Sequence, residues 1–235
     1  MKKISSGIIP LDSQLGGGFP IPSTILILEE PGAGADVLSL HFAIEGVKNK
    51  ENVAYMLTND TKEEINEDIK TYFGLDPESL AEMKIIELVP LKLFERMKCT
   101  KSVLKVIRSD PLNLLRKNVI SGNYSRLVLN NLTYFFMNYE ESEVLKILNE
   151  IVLSSRRNKF VSLLLMTKGM FDSRLETAVK HIVDGVIELT IREVENEIQR
   201  RLKVLKLKRV LVPKAVMRYD LTDKGIKLET VVRVI

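Results

Sequence analysis

The chain has 235 residues, of which 45% are hydrophobic and 28% are charged, and its formal net charge at pH 7 is +4. This composition excludes fibrous and wholly disordered chains and predicts a globular fold with a substantial core. A single cysteine, Cys99, excludes an intrachain disulfide and favours a reducing, cytoplasmic location. With only two histidines, we expect no structural metal site. No apolar run approaches the roughly 20 residues of a membrane helix, so we expect no membrane association.

The first three quarters of the chain alternate short apolar runs with amphipathic stretches. The apolar runs are typical of buried parallel strands, and they lie at residues 24–28, 53–57, 84–89, 126–129 and 160–166. Helical periodicity predicts helices over residues 37–47, 61–73 and 140–157, and a helical stretch over 91–119 that is broken at Pro111. Strands that alternate with helices predict a mostly parallel sheet covered on both faces.

The pattern changes after Gly185. Strand-like runs follow one another without helices, at residues 186–191, 200–212, 215–221 and 225–235. They predict antiparallel strands added to one edge of the sheet. We therefore expect one α/β domain over 1–235, with an α/β core at 1–183 and an antiparallel C-terminal extension at 184–235.

Six segments of the chain carry a resemblance, and they lie at residues 4–12, 15–20, 31–34, 184–189, 200–206 and 220–226. This ordered set resembles the RecA/KaiC-like ATPases, in particular their single-domain KaiC-like and RadA-like branch. The resemblance implies a RecA-like P-loop fold, in which helices flank a central, mostly parallel sheet that ends in antiparallel C-terminal strands. It also implies an ATP site, whose positions can be compared with this sequence.

The phosphate loop of that family binds ATP through glycines, a lysine and a Ser/Thr hydroxyl. Here the first glycine is replaced by Glu29, the lysine by Ala35 and the hydroxyl by Asp36, while Gly34 is retained. The cation is lost and carboxylates are gained, which opposes phosphate binding. The resemblance thus implies a degenerate phosphate loop, formed by Glu29, Glu30, Pro31, Gly32, Ala33, Gly34, Ala35, Asp36 and Val37.

Two placements of Asp36 are open. Its carboxylate can accept from the free backbone N–H groups at the start of the helix, and so serve as an internal substitute for phosphate. Alternatively, it can face solvent in the first helical turn, which is a common stabilising position. Both placements oppose ATP binding.

Two further positions of the family's ATP site are changed. The fourth apolar run ends in Asn130, where the family has a magnesium-binding aspartate. The second run ends in Asn59 and Asp60, where the family has a glutamate that polarises the attacking water. Asn59 takes the base position and Asp60 is expected to be the wrong side chain. Because an amide binds hard cations weakly and accepts no proton at neutral pH, we expect no catalytic residue, no metal and no cofactor.

Four aromatic residues follow the fourth predicted strand, at the sheet edge where α/β proteins place their binding loops. They form a candidate surface for a protein or peptide partner, or for stacking on bases. The alternative is a helix start whose rings pack into the core. The residues are Tyr134, Phe135, Phe136 and Tyr139.

A cation-rich predicted strand is the second candidate surface. In the family a Lys-x-Arg element here reaches a neighbouring subunit's nucleotide, and Lys206-Leu207-Lys208 resembles it in part. The strand can serve as a nucleic-acid face, or as a solvated edge whose lysines prevent pairing with other strands. Its cations are Arg200, Arg201, Lys203, Lys206, Lys208 and Arg209.

The sequence therefore favours a non-catalytic RecA/KaiC-like domain that has lost ATP binding and hydrolysis. Such a domain would act through protein or peptide partners, or through self-association as a homo-oligomer. Two alternatives stay open. A DNA- or RNA-binding protein would use the basic strand and the aromatic segment, and an atypical nucleotide-binding ATPase would release phosphate.

Overall fold

The computed structural model describes residues 2–89 and 110–229. Cys99 and most of the helical stretch expected over 91–119 lie outside the described residues, as do residues 230–235 of the last predicted strand. Helices and strands are numbered below in chain order.

The described helices are α1 (Ile9–Gln14), α2 (Ala35–Lys48), α3 (Lys62–Phe73), α4 (Pro111–Ser121), α5 (Thr133–Asn138), α6 (Glu141–Asn158) and α7 (Ser173–Ile182). A 3₁₀ turn spans Pro77–Leu80. Local sequence explains several helix starts. Thr61 and Glu64 form a capping box at α3, and Pro111 is tolerated because it lies in the first turn of α4.

The described strands are β1 (Lys3–Ile4), β2 (Phe19–Pro20), β3 (Ser23–Glu29), β4 (Val53–Leu57), β5 (Lys84–Glu87), β6 (Arg126–Asn130), β7 (Val161–Thr167), β8 (Gly185–Val194), β9 (Glu197–Leu207), β10 (Met217–Thr222) and β11 (Gly225–Leu228). Strands β1 and β2 pair with each other, and the others form one sheet in the order β11-β10-β9-β8-β3-β7-β6-β4-β5. The strands from β8 to β5 in this order are parallel, and β9, β10 and β11 are antiparallel to their neighbours.

The sheet separates two apolar cores. Alternate residues of β3 point to opposite faces, so Ile25 and Ile27 join a core with α2 and α3, while Leu26 and Leu28 join a core with α4, α6 and α7. All four side chains are fully buried. Burial on both faces fixes β3 at the centre of the sheet. The central strand therefore holds the loop that follows Glu29 in a fixed position at the carboxyl edge.

The five predicted parallel strands are confirmed, with shifts of one or two residues at their ends. The antiparallel part begins later than expected, because β8 pairs in parallel with β3. The reason is α7, which the sequence analysis missed. This helix is the crossover between β7 and β8, so β8 completes a βαβ unit and only β9 turns back.

Candidate functional site

The phosphate loop, residues 29–37, leaves β3 at Glu29 and enters α2 at Ala35. Gly34 precedes the helix in the left-handed conformation, with φ of 88°, which favours glycine. A Cβ atom built on Gly34 would lie 2.9 Å from Cδ2 of Leu221. The retained glycine thus serves both the backbone conformation and the close approach of β10.

The carboxylate of Glu29 lies at the N-terminal end of α2. Its Oε2 accepts a 2.9 Å hydrogen bond from the backbone N–H of Ala35, one of the groups left free at a helix start. Burial raises the pKa of Glu29 to about 7. The charge of Asp36 adds to this effect, and the N–H groups of Ala35 and Gly34 oppose it. Glu29 therefore provides the acceptor at the helix start that one of the two placements of Asp36 would have supplied.

Asp36 does not cap the helix, so that placement was wrong. Among the hydrogen bonds of the described residues, the Ala35 N–H donates to Glu29 and none involves the Asp36 carboxylate, and Asp36 lies half-buried in the first turn. Burial is the main reason that the pKa of Asp60 and the pKa of Asp68 are raised, to about 6 for Asp68, and the charge of Asp36 contributes to both. An acidic region thus adjoins the phosphate loop.

Glu30 joins the loop to the neighbouring strands. Its carboxylate accepts from the Ile191 N–H at 2.8 Å and from the Lys168 ammonium at 3.2 Å. These contacts, the Ile191 bond foremost, lower the pKa of Glu30. Lys168 also lies 3.1 Å from Glu188. Lys168 is therefore already paired with two carboxylates, those of Glu30 and Glu188.

The C-terminal strands cover the loop from one side. Arg200 on β9 donates from Nε to the carbonyl of Gly32 at 3.2 Å, and Tyr219 on β10 donates its hydroxyl to the carbonyl of Ala33. The side chain of Leu221 packs on Gly34, as noted above. Contacts with β9 and β10 thus fix three consecutive residues of the loop.

The positions of the family's metal ligand and base lie at the ends of β6 and β4. Asn130 is buried, and its Nδ2 donates to Oδ2 of Asp60 at 3.3 Å. Asn59 is exposed. Asp60, not Asn59, is the member of the pair that contacts Asn130, because the turn after β4 directs the second residue toward β6. The expected unsuitability of Asp60 as a base stays a prediction.

The residues present do not fit magnesium ATP. Ala35 supplies no cation, Glu29 already accepts from a helix N–H, and Asn130 offers magnesium no charge. Within residues 2–89 and 110–229, no group of three or more His, Cys, Asp or Glu side chains is arranged to hold a metal ion.

Comparison with known proteins identifies the family. A family model described as "ATPase: KaiC" matches residues 4–231. The chain belongs to the KaiC family. The resemblance to RecA/KaiC-like ATPases is thus confirmed.

Two relatives and one solved structure illustrate the likeness. The chain is 26% identical to the UPF0273 protein PH0284 of Pyrococcus horikoshii, over 96% of this chain and 93% of the relative. It is 20% identical to the circadian clock oscillator protein KaiC of Synechococcus elongatus, over 95% of this chain but 41% of that relative. The crystal structure of the KaiC-like protein PH0186 from Pyrococcus horikoshii OT3 matches with a TM-score of 0.78 and 18% identity, over 97% of this chain and 99% of the other. This match confirms the fold.

The aromatic segment of this KaiC-family chain lies mainly against the core. Phe135 is fully buried, and Tyr134, Phe136 and Tyr139 are half-buried against the core on the α6 face. The hydroxyl of Tyr139 donates to Asp110 at 2.6 Å. The four aromatic residues therefore do not form one continuous exposed surface, because α5 turns Phe135 inward.

The cations of the basic strand divide into two groups. Lys206 donates to the carbonyls of Lys180, His181 and Val183, at 2.9, 3.2 and 2.6 Å, and so caps the end of α7. Lys208 pairs with the buried Asp184 at 3.0 Å. Arg200 and Arg209 also bond to backbone carbonyls, whereas Arg201 and Lys203 share the outer face of β9. The partial Lys-x-Arg element thus stabilises the fold within this chain.

Lys168 and Tyr219 were not among the residues expected at the site. Lys168 lies two residues after the predicted strand 160–166, so its presence at the same sheet edge as Glu29 could have been found from the parallel arrangement. Tyr219 contacts a carbonyl 186 residues earlier in the chain, and no local signal indicates such a contact. In the part of the chain that the structure describes, no helix is long and apolar enough to cross a bilayer.

Proposed function

We propose that this chain is a KaiC-family domain that has lost ATP binding and hydrolysis and acts through contacts with protein or peptide partners or with copies of itself. The observation that carries the first part is the hydrogen bond from the Ala35 N–H to the Glu29 carboxylate, 2.9 Å long. In a phosphate loop that binds nucleotide, such N–H groups face the phosphates. Here the Glu29 side chain, which belongs to the loop itself, accepts the hydrogen bond from one of those N–H groups.

Electrostatics supports the same proposal. A carboxylate about 4 Å from a phosphate oxygen raises the free energy by about 1 kcal/mol in water, and by about 4 kcal/mol at an effective dielectric constant near 20. Glu29 and Asp36 both lie at the helix start, whereas Lys168 is paired with Glu30 and Glu188. Ionised carboxylates at this helix start therefore oppose a triphosphate.

Action by contact is supported at the same edge of the sheet. Met137, at the end of α5, is 61% exposed, and Met170, in the turn after β7, is 47% exposed. Exposed apolar side chains at one edge of the sheet favour association with another protein.

Isothermal titration with magnesium ATP tests the loss of nucleotide binding. We expect no binding heat up to about 1 mM ATP, the upper range of ordinary enzyme KM values. The combined variant Glu29→Gly/Ala35→Lys/Asp36→Thr/Asn130→Asp should gain binding. Ala35→Lys alone should not, because the carboxylates remain, and Glu193→Gln on exposed β8 is the control. Micromolar binding by the unaltered chain, or phosphate release above background in two separate preparations, would contradict the proposal.

Nucleic-acid binding is a second candidate, favoured by one cross-strand pair. Arg201 of β9 lies directly opposite Arg218 of β10, and like charges in that position are destabilising unless an anion compensates them. Salt-sensitive retention of a labelled single strand, lost in Arg201→Glu/Arg218→Glu but kept in Lys227→Glu, would support this candidate. Equal retention by all three proteins would exclude it.

A further inference from the structure

A group of four apolar side chains lies on α5 and in the turn after β7, at the carboxyl edge of the sheet. We call it the Met/Phe patch, and it comprises Phe136, Met137, Met170 and Phe171. The two methionines are the exposed members, and the rings of Phe136 and Phe171 lie 5.6 Å apart between centroids. The ring contact joins α5 to the turn after β7. Two segments far apart in the chain thus meet through this ring pair, and each segment carries one exposed methionine.

Hydrogen bonds hold the turn after β7 in place. The N–H of Gly169 donates to the buried carboxylate of Glu176 at 2.6 Å, and Asp172 caps α7 by accepting from the Leu175 N–H at 2.7 Å. Because the turn that carries Met170 is already ordered, little conformational entropy is lost when a partner binds.

Hydrogen bonds also hold α5 in place. The N–H of Tyr134 donates to the side chain of Asn131 at 3.2 Å, and Asn138 donates back to the carbonyl of Tyr134 at 2.7 Å. Phe135 anchors the helix in the core. The side of the patch that carries Met137 is therefore ordered as well.

Three carboxylates lie at the start of α6, just after α5 in the chain. We call Glu140, Glu141 and Glu143 the acidic rim. All three are exposed, and no ion pair among the described residues involves them. An apolar centre beside unpaired negative charge is complementary to an apolar stripe beside positive charge.

We propose that the Met/Phe patch and the acidic rim bind a basic amphipathic helix of a partner protein. This inference rests on the proposed action by contact and names the class of partner. Methionine side chains adapt to varied apolar surfaces, and an amphipathic helix presents its apolar residues along one stripe. The basic face of that helix would lie against the acidic rim.

Fluorescence anisotropy tests the proposal with a labelled leucine–lysine peptide of about 18 residues, whose leucines share one helical face. We expect saturable binding. Met137→Ser/Met170→Ser should weaken it by at least about tenfold, as loss of central apolar contacts does. The matched control is Leu153→Ser on α6, which is 60% exposed and should leave the affinity unchanged. Circular dichroism establishes that each variant is folded.

Charge reversal tests the acidic rim separately. Glu141→Lys/Glu143→Lys should weaken binding by about fivefold at low salt and reduce its salt dependence. Glu193→Lys/Glu197→Lys, on the β8–β9 hairpin, changes the net charge equally and should have little effect. A scrambled peptide of the same composition and a leucine–glutamate peptide should bind at least about tenfold more weakly.

Three outcomes would overturn the inference. They are no binding of the helical peptide, equal binding of the scrambled peptide, and equal losses in the patch and control variants. If the patch variant instead converts a dimer to a monomer in light scattering, the occupant is a second copy and the partner class is wrong. Titration of the same preparation with magnesium ATP separates the two proposals. Binding of ATP would contradict the proposed loss of ATP binding without affecting the peptide result. Absence of peptide binding would contradict this inference without affecting the ATP result.

Discussion

Removing the charge of Glu29 should stabilise the protein at alkaline pH. In Glu29→Gln the side-chain oxygen can still accept from the Ala35 N–H, but no ionised carboxylate has to be kept in a half-buried position. The pKa of Glu29 is raised from 4.5 to about 7 by burial. Such a shift corresponds to at most about 3 kcal/mol, and solvent access reduces this to about 1 to 2 kcal/mol.

The sign of the pH dependence follows from proton binding. Between pH 4.5 and about 7 the folded state holds the Glu29 proton more strongly than the unfolded state does. The free energy of unfolding therefore falls as pH rises through this range. The free energy of unfolding of Glu29→Gln does not fall in this way. The difference in stability between Glu29→Gln and the unaltered chain should therefore grow from pH 5 to pH 8.

Guanidinium denaturation at pH 5 and pH 8 measures this difference. Glu193→Gln, at an exposed position of β8, is the control for loss of a carboxylate, and its stability should change by less than about 0.5 kcal/mol. If Glu29→Gln were less stable than the unaltered chain, and more so at pH 8, the Glu29 charge would stabilise the helix start. The account of a desolvated internal anion would then be refuted.

Three further predictions concern the elements around the loop. Gly34→Ala should cost about 1 to 3 kcal/mol more than Gly74→Ala in chemical denaturation, because both glycines have positive φ but only a Cβ at position 34 meets another side chain. Lys206→Met should lower the free energy of unfolding by about 1 to 3 kcal/mol, since three carbonyls lose a charged donor. The control Lys203→Met, at an exposed position, should change it little. Burial and the charge of Lys48 lower the pKa of His41 to about 4, so stability should fall as pH drops from 6.5 toward 4, and less so in His41→Gln.

Much of the fold could be predicted from the sequence, because burial on both faces of a parallel strand leaves a continuous apolar run. The run that becomes β3 is an example. The helix α7 was missed because its apolar residues are few and spaced among charges, as Leu175 and Val179 are. Its omission moved the predicted start of the antiparallel strands by one strand.

The geometry of the candidate site could not be predicted from the sequence. The sequence places the carboxylates of Glu29 and Asp36 at the two ends of the loop, yet it does not show which carboxylate reaches the helix. That outcome depends on the direction of the side chain at the end of β3. The contacts of Tyr219 and Arg200 with the loop depend on the curvature of the sheet, which no local pattern encodes.

The amide resonance of Ala35 tests the central claim most directly. In a nuclear magnetic resonance titration, its chemical shift should follow an apparent pKa near 7 in the unaltered chain, should not titrate there in Glu29→Gln, and should stay unchanged when magnesium ATP is added. A saturable shift of the Gly34 and Ala35 amides on addition of ATP would contradict the claim that a carboxylate of the chain has replaced the phosphate.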